Sequence, residues 1–211
     1  MDVPVNAEVE CTDGVCGQAT HLIVNATTGK LTHLVVKEIS ADNVERLVPL
    51  GKVKTSTFNL VHLNCDRAEL ATMQEFVEHQ SFHVTVPNYN YLGPYIHAAP
   101  ERRLVTVETP HLGSGEVAID RQTRVEATDG HLGHLVELSV EPATGTVWQL
   151  VVRAGALWKA HDVPISVARV ALVEPGAISL AIDKHLRQAS PVGRDDNKAR
   201  VMESGGHSAG R

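Results

Sequence analysis

The sequence predicts an all-β protein made of two small barrels in tandem, each followed by a short helix and joined by a Tyr- and Pro-containing spacer. Three observations carry that expectation. The chain repeats itself once at long offset. Each copy holds Asp-Gly and Thr-Gly pairs between short apolar segments. Five or six such segments crowd into about 60–70 residues, as small barrels require.

The repeat comes first, because it fixes the organisation. Sliding the 211 residues by 116 positions sets Val9-Glu10-Cys11-Thr12-Asp13-Gly14 on Val125-Glu126-Ala127-Thr128-Asp129-Gly130. Gly17 then meets Gly133, Thr28-Gly29 meets Thr144-Gly145, and Leu34-Val35-Val36 meets Leu150-Val151-Val152. Between 9–37 and 125–153, 13 of 29 positions are identical, where ordinary residue frequencies give about one in fifteen to twenty. After a one-residue shift, Val48-Pro49-Leu50 lines up with Val163-Pro164-Ile165, and further on Val61-His62-Leu63 with Ile178-Ser179-Leu180. This divides the chain into a first barrel (1–65), a spacer (66–120), a second barrel (121–186) and a disordered polar tail (187–211).

The elements follow in order. Asp13-Gly14 predicts a hairpin of type I′, whose two central residues need positive φ. Thr28-Gly29 is a second turn, before the strand Lys30–Val36. Arg46–Leu50 is a third strand region, with Pro49 marking a strand end or a sheet edge. Val53 and Phe58–Leu63 continue the pattern. The second copy repeats it over Glu126–Glu141, Val147–Arg153, Val163–Val173 and Ile178–Ile182. Gly17 and Gly133 mark close backbone approach or a bend. Asp66-Arg67-Ala68-Glu69 is a capping box, and Leu70, Met73, Phe76 and Val77 follow at helical spacing. Asp183-Lys184-His185-Leu186 is the weaker second helix start.

Composition narrows the function. The chain is 43% hydrophobic and 21% charged, with net charge -6. Residues 1–65 carry -2, 66–120 carry -5, 121–185 carry -1 and 186–211 carry +2. No segment forms the basic footprint that direct nucleic-acid binding needs. The eight aromatic residues all lie between Phe58 and Trp158. The sequence predicts no transmembrane segment and no secretory leader, since MDVPVNAEVE lacks a basic start and an apolar run. A cytoplasmic protein with reduced thiols is expected.

These residues resemble the PRC-barrel family, the small β-barrel shared by the cytoplasmic domain of the photosynthetic reaction-centre H subunit and the C-terminal domain of the 16S rRNA-processing ribosome-maturation factor. The matching pattern is a strand, Asp-Gly, a spacer, Gly, an apolar strand, Thr-Gly, a strand ending Leu-Val-Val, and Val-Pro-Leu or Val-Pro-Ile. It occurs over 9–50 and 125–165. The second copy, with Leu157-Trp158, looks like bacterial stand-alone tandem PRC-barrel proteins. Pro87-Asn-Tyr-Asn-Tyr-Leu-Gly-Pro-Tyr95 and Ser114-Gly-Glu-Val-Ala118 resemble their linker. The resemblance covers about residues 5–185. It implies adaptor-like barrels and carries no catalytic motif.

Candidate sites are few. No HExxH, GxSxG or phosphate loop is present, so no catalytic residue, cofactor or metal is expected. His131-x-x-His134 reads as exposed loop histidines. Cys11 and Cys16 flank Asp13-Gly14 and read as small buried residues, a disulfide requiring Cα atoms within about 7 Å. Cys65 reads the same way. Asp13, Gly14, Gly17 and Gly29, with Asp129, Gly130, Gly133 and Gly145, read as structural turns. Tyr89, Tyr91, Tyr95, Trp148 and Trp158 are the expected partner-binding anchors, because such rings supply rigid contact area with a polar tip.

The expected function is a non-catalytic cytoplasmic adaptor binding a protein partner, with a homodimer as one possible form. The alternatives are a peripheral role in photosynthetic electron transport, ribosome assembly or 16S rRNA processing, and an enzyme with a site between the barrels.

Overall fold

A computed structural model describes residues 1–39, 43–92, 95–155 and 160–183; for 78–82, 86–92, 95–101 and 106–108 it describes the backbone alone. In chain order the elements are β1 (Asp2–Pro4), β2 (Glu8–Cys11), β3 (Gly14–Asn25), β4 (Lys30–Glu38) and β5 (Glu45–Pro49). A 3-10 turn (Leu50–Lys52), β6 (Val53–Thr57), β7 (Leu60–Leu63) and helix α1 (Arg67–Thr72) follow. Next come β8 (Val77–Leu92), β9 (Tyr95–Pro110), β10 (Glu116–Asp120), β11 (Arg124–Ala127), β12 (Gly130–Val140) and β13 (Val147–Ala154). The last are β14 (His161–Ser166), a second 3-10 turn (Val167–Arg169), β15 (Val170–Glu174) and β16 (Ala177–Leu180).

The two copies build the same sheet. Strand order is β5-β4-β3-β2-β7-β6 in the first and β14-β13-β12-β11-β16-β15 in the second, with one further strand joining each. The all-β class holds. Closure into a barrel does not, for both strand orders are open and neither sheet closes on itself. The further strands are exchanged between copies. β10 pairs with β3, Ile119 opposite Leu22. β1 pairs with β12, Val3 opposite Leu138. The two exchanges correspond at the 116-residue offset, Val3 matching Ile119 and Leu22 matching Leu138. The two Thr-Gly turns reciprocate as well: Leu31 N–H donates to the Gly145 carbonyl and Val147 N–H to the Gly29 carbonyl, both at 2.9 Å.

This exchange merges the interiors. Val3, Leu22, Leu138 and Ile119 are almost wholly buried and belong to one continuous core with Val9, Leu34, Val61, Val125, Leu150 and Ile178 from both copies. The first barrel region indeed contributes no buried aromatic ring to that core. A second, smaller cluster of Ile23, Val35, Leu47 and Phe76 covers the other face of the first sheet.

Four local expectations need correction. The hairpin loops are Thr12-Asp13 and Thr128-Asp129, since Cys11 pairs with Gly14 and Ala127 with Gly130. Gly14 and Gly130 alone carry positive φ there, +115° and +116°, so the turn is not type I′. The glycine opens the next strand, a backbone state costly for any residue with a Cβ. Secondly, Val48-Pro49-Leu50 does not superpose on Val163-Pro164-Ile165. Leu34 faces Val48 while Leu150 faces Ile165, and His33 faces Pro49 while Gln149 faces Ser166. Sheet register therefore sets Val48-Pro49-Leu50 on Ile165-Ser166-Val167, and the shared Val-Pro is out of register by two. Both prolines still lie in terminal strands of their sheets.

Thirdly, helix α1 stops at Thr72, short of Phe76. Asp66 caps its start by accepting the Glu69 N–H at 2.7 Å, but the Glu69 side chain turns to Lys52 at 2.5 Å. Met73 is already extended, because the chain is drawn onto β5: Leu47 N–H donates to Gln74 and Phe76 N–H to Glu45, each at 2.8 Å. That pairing also shields an edge strand. Finally, the spacer segment is largely strand, forming the β8–β9 pair and β10. The second helix start beyond Asp183 and the tail lie outside the described residues.

Candidate functional site

The anchors predicted from sequence fall at separate places. β8 and β9 form a two-stranded ribbon, paired residue for residue from Val77–Pro110 to Leu92–Tyr95. Sixteen residues per strand at about 3.3 Å each make it about 50 Å long. Among the described residues each ribbon strand pairs with no strand but the other, so both outer edges present backbone N–H and C=O groups. Tyr89 lies opposite Ala98, Tyr91 opposite Ile96 and Tyr95 opposite Leu92. The three tyrosines thus share the four register pairs at the far end. Nearer the middle, Val84, Leu104 and Val105 are exposed, Leu104 by 62%.

Trp148 is half exposed on β13 of the second sheet. The structure does not bring it into the ribbon's sheet. Its counterpart Thr32 is tied down instead, donating its hydroxyl to Glu116 at 2.7 Å. Burial would raise the Glu116 carboxyl, yet the Thr32 hydroxyl, the Gly113 N–H and nearby His33 together hold it below the ordinary value. Trp158 lies outside the described residues.

The repeated turn residues have packing roles. The Asp13 carboxylate accepts the Arg67 N–H at 3.2 Å, and the Arg67 guanidinium donates to the Val15 carbonyl at 2.6 Å, so the hairpin tip docks on helix α1. An added Cβ at Gly17 would collide with the Lys37 carbonyl, and at Gly133 with the Arg153 carbonyl. The expectation for Cys11 and Cys16 is corrected: both are buried, but their sulfurs are bonded as a disulfide, with Cα atoms 5.8 Å apart. A bulge at Cys16, where Val9 faces Gly17 and Glu10 faces Val15, sets it beside Cys11. Cys65 is a buried free thiol whose pKa is pushed up, chiefly by burial and then by Glu69. His131 and His134 stand edge to face at 5.2 Å, both exposed. Among the described residues no three metal-ligating side chains cluster.

Two hollows were not anticipated. An apolar hollow of about 230 Å³ is lined by Leu138, Leu150, Val167, Val173 and Ile178 of the second copy and by Val24 and Gly29 of the first. A larger cleft, about 1280 Å³, runs between the copies. Pro4, Val5, Asn6, Phe58 and Asn59 of the first copy line it together with Arg121, Gln122, Arg124, His134 and Arg153 of the second. The Arg153 guanidinium grips Asp162 through two hydrogen bonds at 2.9 and 3.0 Å, which hold the Asp162 carboxyl below its usual value. Column-by-column comparison of the two copies could have found this cleft, because Glu8 of the first becomes Arg124 in the second.

No helix among the described residues is long and apolar enough to cross a membrane. A comparison with protein-family models finds no match, and neither does a comparison with curated proteins.

Proposed function

We propose that this chain is a non-catalytic adaptor of the tandem PRC type, holding a protein partner on its surface; the Cys11–Cys16 disulfide departs from the reduced thiols expected of a cytoplasmic protein. The ribbon is the observation that carries the reading. Two long strands with free edges and exposed Val84, Leu104 and Val105 suit partner capture by strand addition, in which main-chain hydrogen bonds supply affinity. Tyr89, Tyr91 and Tyr95 at its far end would then serve as anchors, since aromatic residues concentrate binding energy at interfaces. The repeated sheet order and the repeated Asp-Gly and Thr-Gly positions support the PRC reading. The core on which the ribbon stands carries no catalytic constellation recognisable from the sequence.

A pull-down from the native organism tests this. The Tyr89→Ala/Tyr91→Ala/Tyr95→Ala variant is expected to lose the partners recovered by the parent chain. Recovery of every partner by the variant would remove the tyrosines from the interface.

A further inference from the structure

The duplicated fold allows a comparison of one location with itself. In the second copy, Arg124, His134, Arg153 and Asp162 lie directly opposite one another on adjacent strands β11, β12, β13 and β14. The same row in the first copy is Glu8, Gln18, Lys37 and Glu45 on β2, β3, β4 and β5. Neighbouring strands lie about 4.8 Å apart, so each row is a tight strip of side chains. The first strip holds two acids and one base. The second holds two guanidiniums and an imidazole against one acid.

Arg153 is committed to Asp162. Among the described residues Arg124 has no such carboxylate partner, and Arg121 lines the same cleft. Among the described residues that line the cleft, none is Asp or Glu. In a chain with net charge -6, the described lining of this cleft thus holds no acid, and Arg124 stands where the first copy has Glu8. The same lining offers the Asn6 and Asn59 amides and Phe58, which is 63% exposed.

We propose that this cleft binds an acidic peptide segment of a protein partner, with Arg121 and Arg124 taking carboxylates and Phe58 taking an apolar side chain. The inference rests on the adaptor reading and gives the partner a chemistry. Guanidinium forks match carboxylates in paired hydrogen bonds. The cleft, at about 1280 Å³, exceeds the usual range of small-molecule pockets, roughly 300–1,000 Å³, and fits an extended chain. Single-stranded nucleic acid would need several stacking rings and a long basic groove, whereas the described lining residues supply one phenyl ring and a short basic strip. The chain's own last residues, 187–211, carry five Lys and Arg against three Asp and Glu, the wrong sign to fill it.

The test is fluorescence polarisation of a labelled oligo-glutamate peptide with interspersed leucines, against the full chain at low salt. Saturable binding is expected, weakened at least ten-fold by Arg124→Glu and about three-fold by Phe58→Ala. Lys37→Glu, in the corresponding strip of the first copy, is expected to leave binding unchanged. Circular dichroism confirms that the variants fold; Arg121→Glu is the second cleft variant should Arg124→Glu fail that check. Parental affinity in the folded cleft variant overturns the proposal. So does absence of saturable binding, or tighter binding of a single-stranded oligonucleotide than of the peptide. The two readings separate cleanly: a tyrosine variant that recovers every partner counts against the ribbon, and peptide binding that depends on Arg124 still stands.

Discussion

Gly133 shows how little room one residue has in this fold. A methyl group there would meet the Arg153 carbonyl of β13, backbone that the sheet fixes in place. Gly133→Ala is expected to destabilise by about 2 kcal/mol or more, as overpacking does. Gly51→Ala, where nothing lies within 4 Å of the new Cβ, is expected to be near neutral. Urea denaturation of both variants checks the contrast. Glu137 sets a different constraint. Burial, then the neighbouring charges of Asp2 and Asp162, raise its carboxyl pKa against the pull of the N-terminal ammonium. The unfolded chain therefore ionises this group at lower pH than the folded one. Stability drains away as pH rises above the unfolded value, about 4.3. Glu137→Gln is expected to gain stability over the parent from there toward neutral pH, the two converging in acid. Thermal unfolding across that range measures it.

Among the elements, β1 is short but distant in its effects. Its three residues belong to the first copy by sequence and to the second sheet by pairing. Val3→Asp would bury a carboxylate at a wholly inaccessible position, costing roughly 3 kcal/mol or more. Hydrogen exchange is expected to report the damage 137 residues away, at the Val140 N–H that donates to Met1 at 2.8 Å; unaltered protection there would refute the exchange. The strands themselves were legible, because alternation and Gly-bearing turns act locally. Helix α1 was legible at Asp66, where the cap is local, and misread at Met73, where pairing with β5 takes the chain away. The Val-Pro register misled because two identical residues imitate a match while the strand pairing decides the frame. Exchange of β1 and β10 left no local trace at all. The disulfide was underestimated because a bulge at Cys16, invisible in the sequence, brings the sulfurs together.

For the whole molecule, the shared core has a thermodynamic consequence. Val3 and Ile119 fill each other's neighbouring sheets, so neither copy holds a complete interior alone. Calorimetry is expected to show one transition with calorimetric and van't Hoff enthalpies in agreement. Two resolved transitions would mean that the copies melt independently. The candidate cleft was partly legible at this scale, since the charge reversal from Glu8 to Arg124 is written in the aligned copies. Its lining became visible only once the fold brought Pro4–Asn6 and Phe58 to the same cleft as Arg121 and Arg124.

The strand exchange also explains how that reversal became open to the chain. Two identical subunits swapping their leading strands would obey a two-fold axis, and every substitution would appear on both sides of it. Here the two halves are one covalent polymer, so the axis is only approximate. A mutation strikes once. One half can keep Glu8 beside its partner strand while the other acquires Arg124, with the mutual clasp of β1 and β10 undisturbed. Assembly gains too: the meeting of halves is a first-order event, independent of concentration. Covalent linkage converts a symmetric pair into a scaffold with two distinguishable faces.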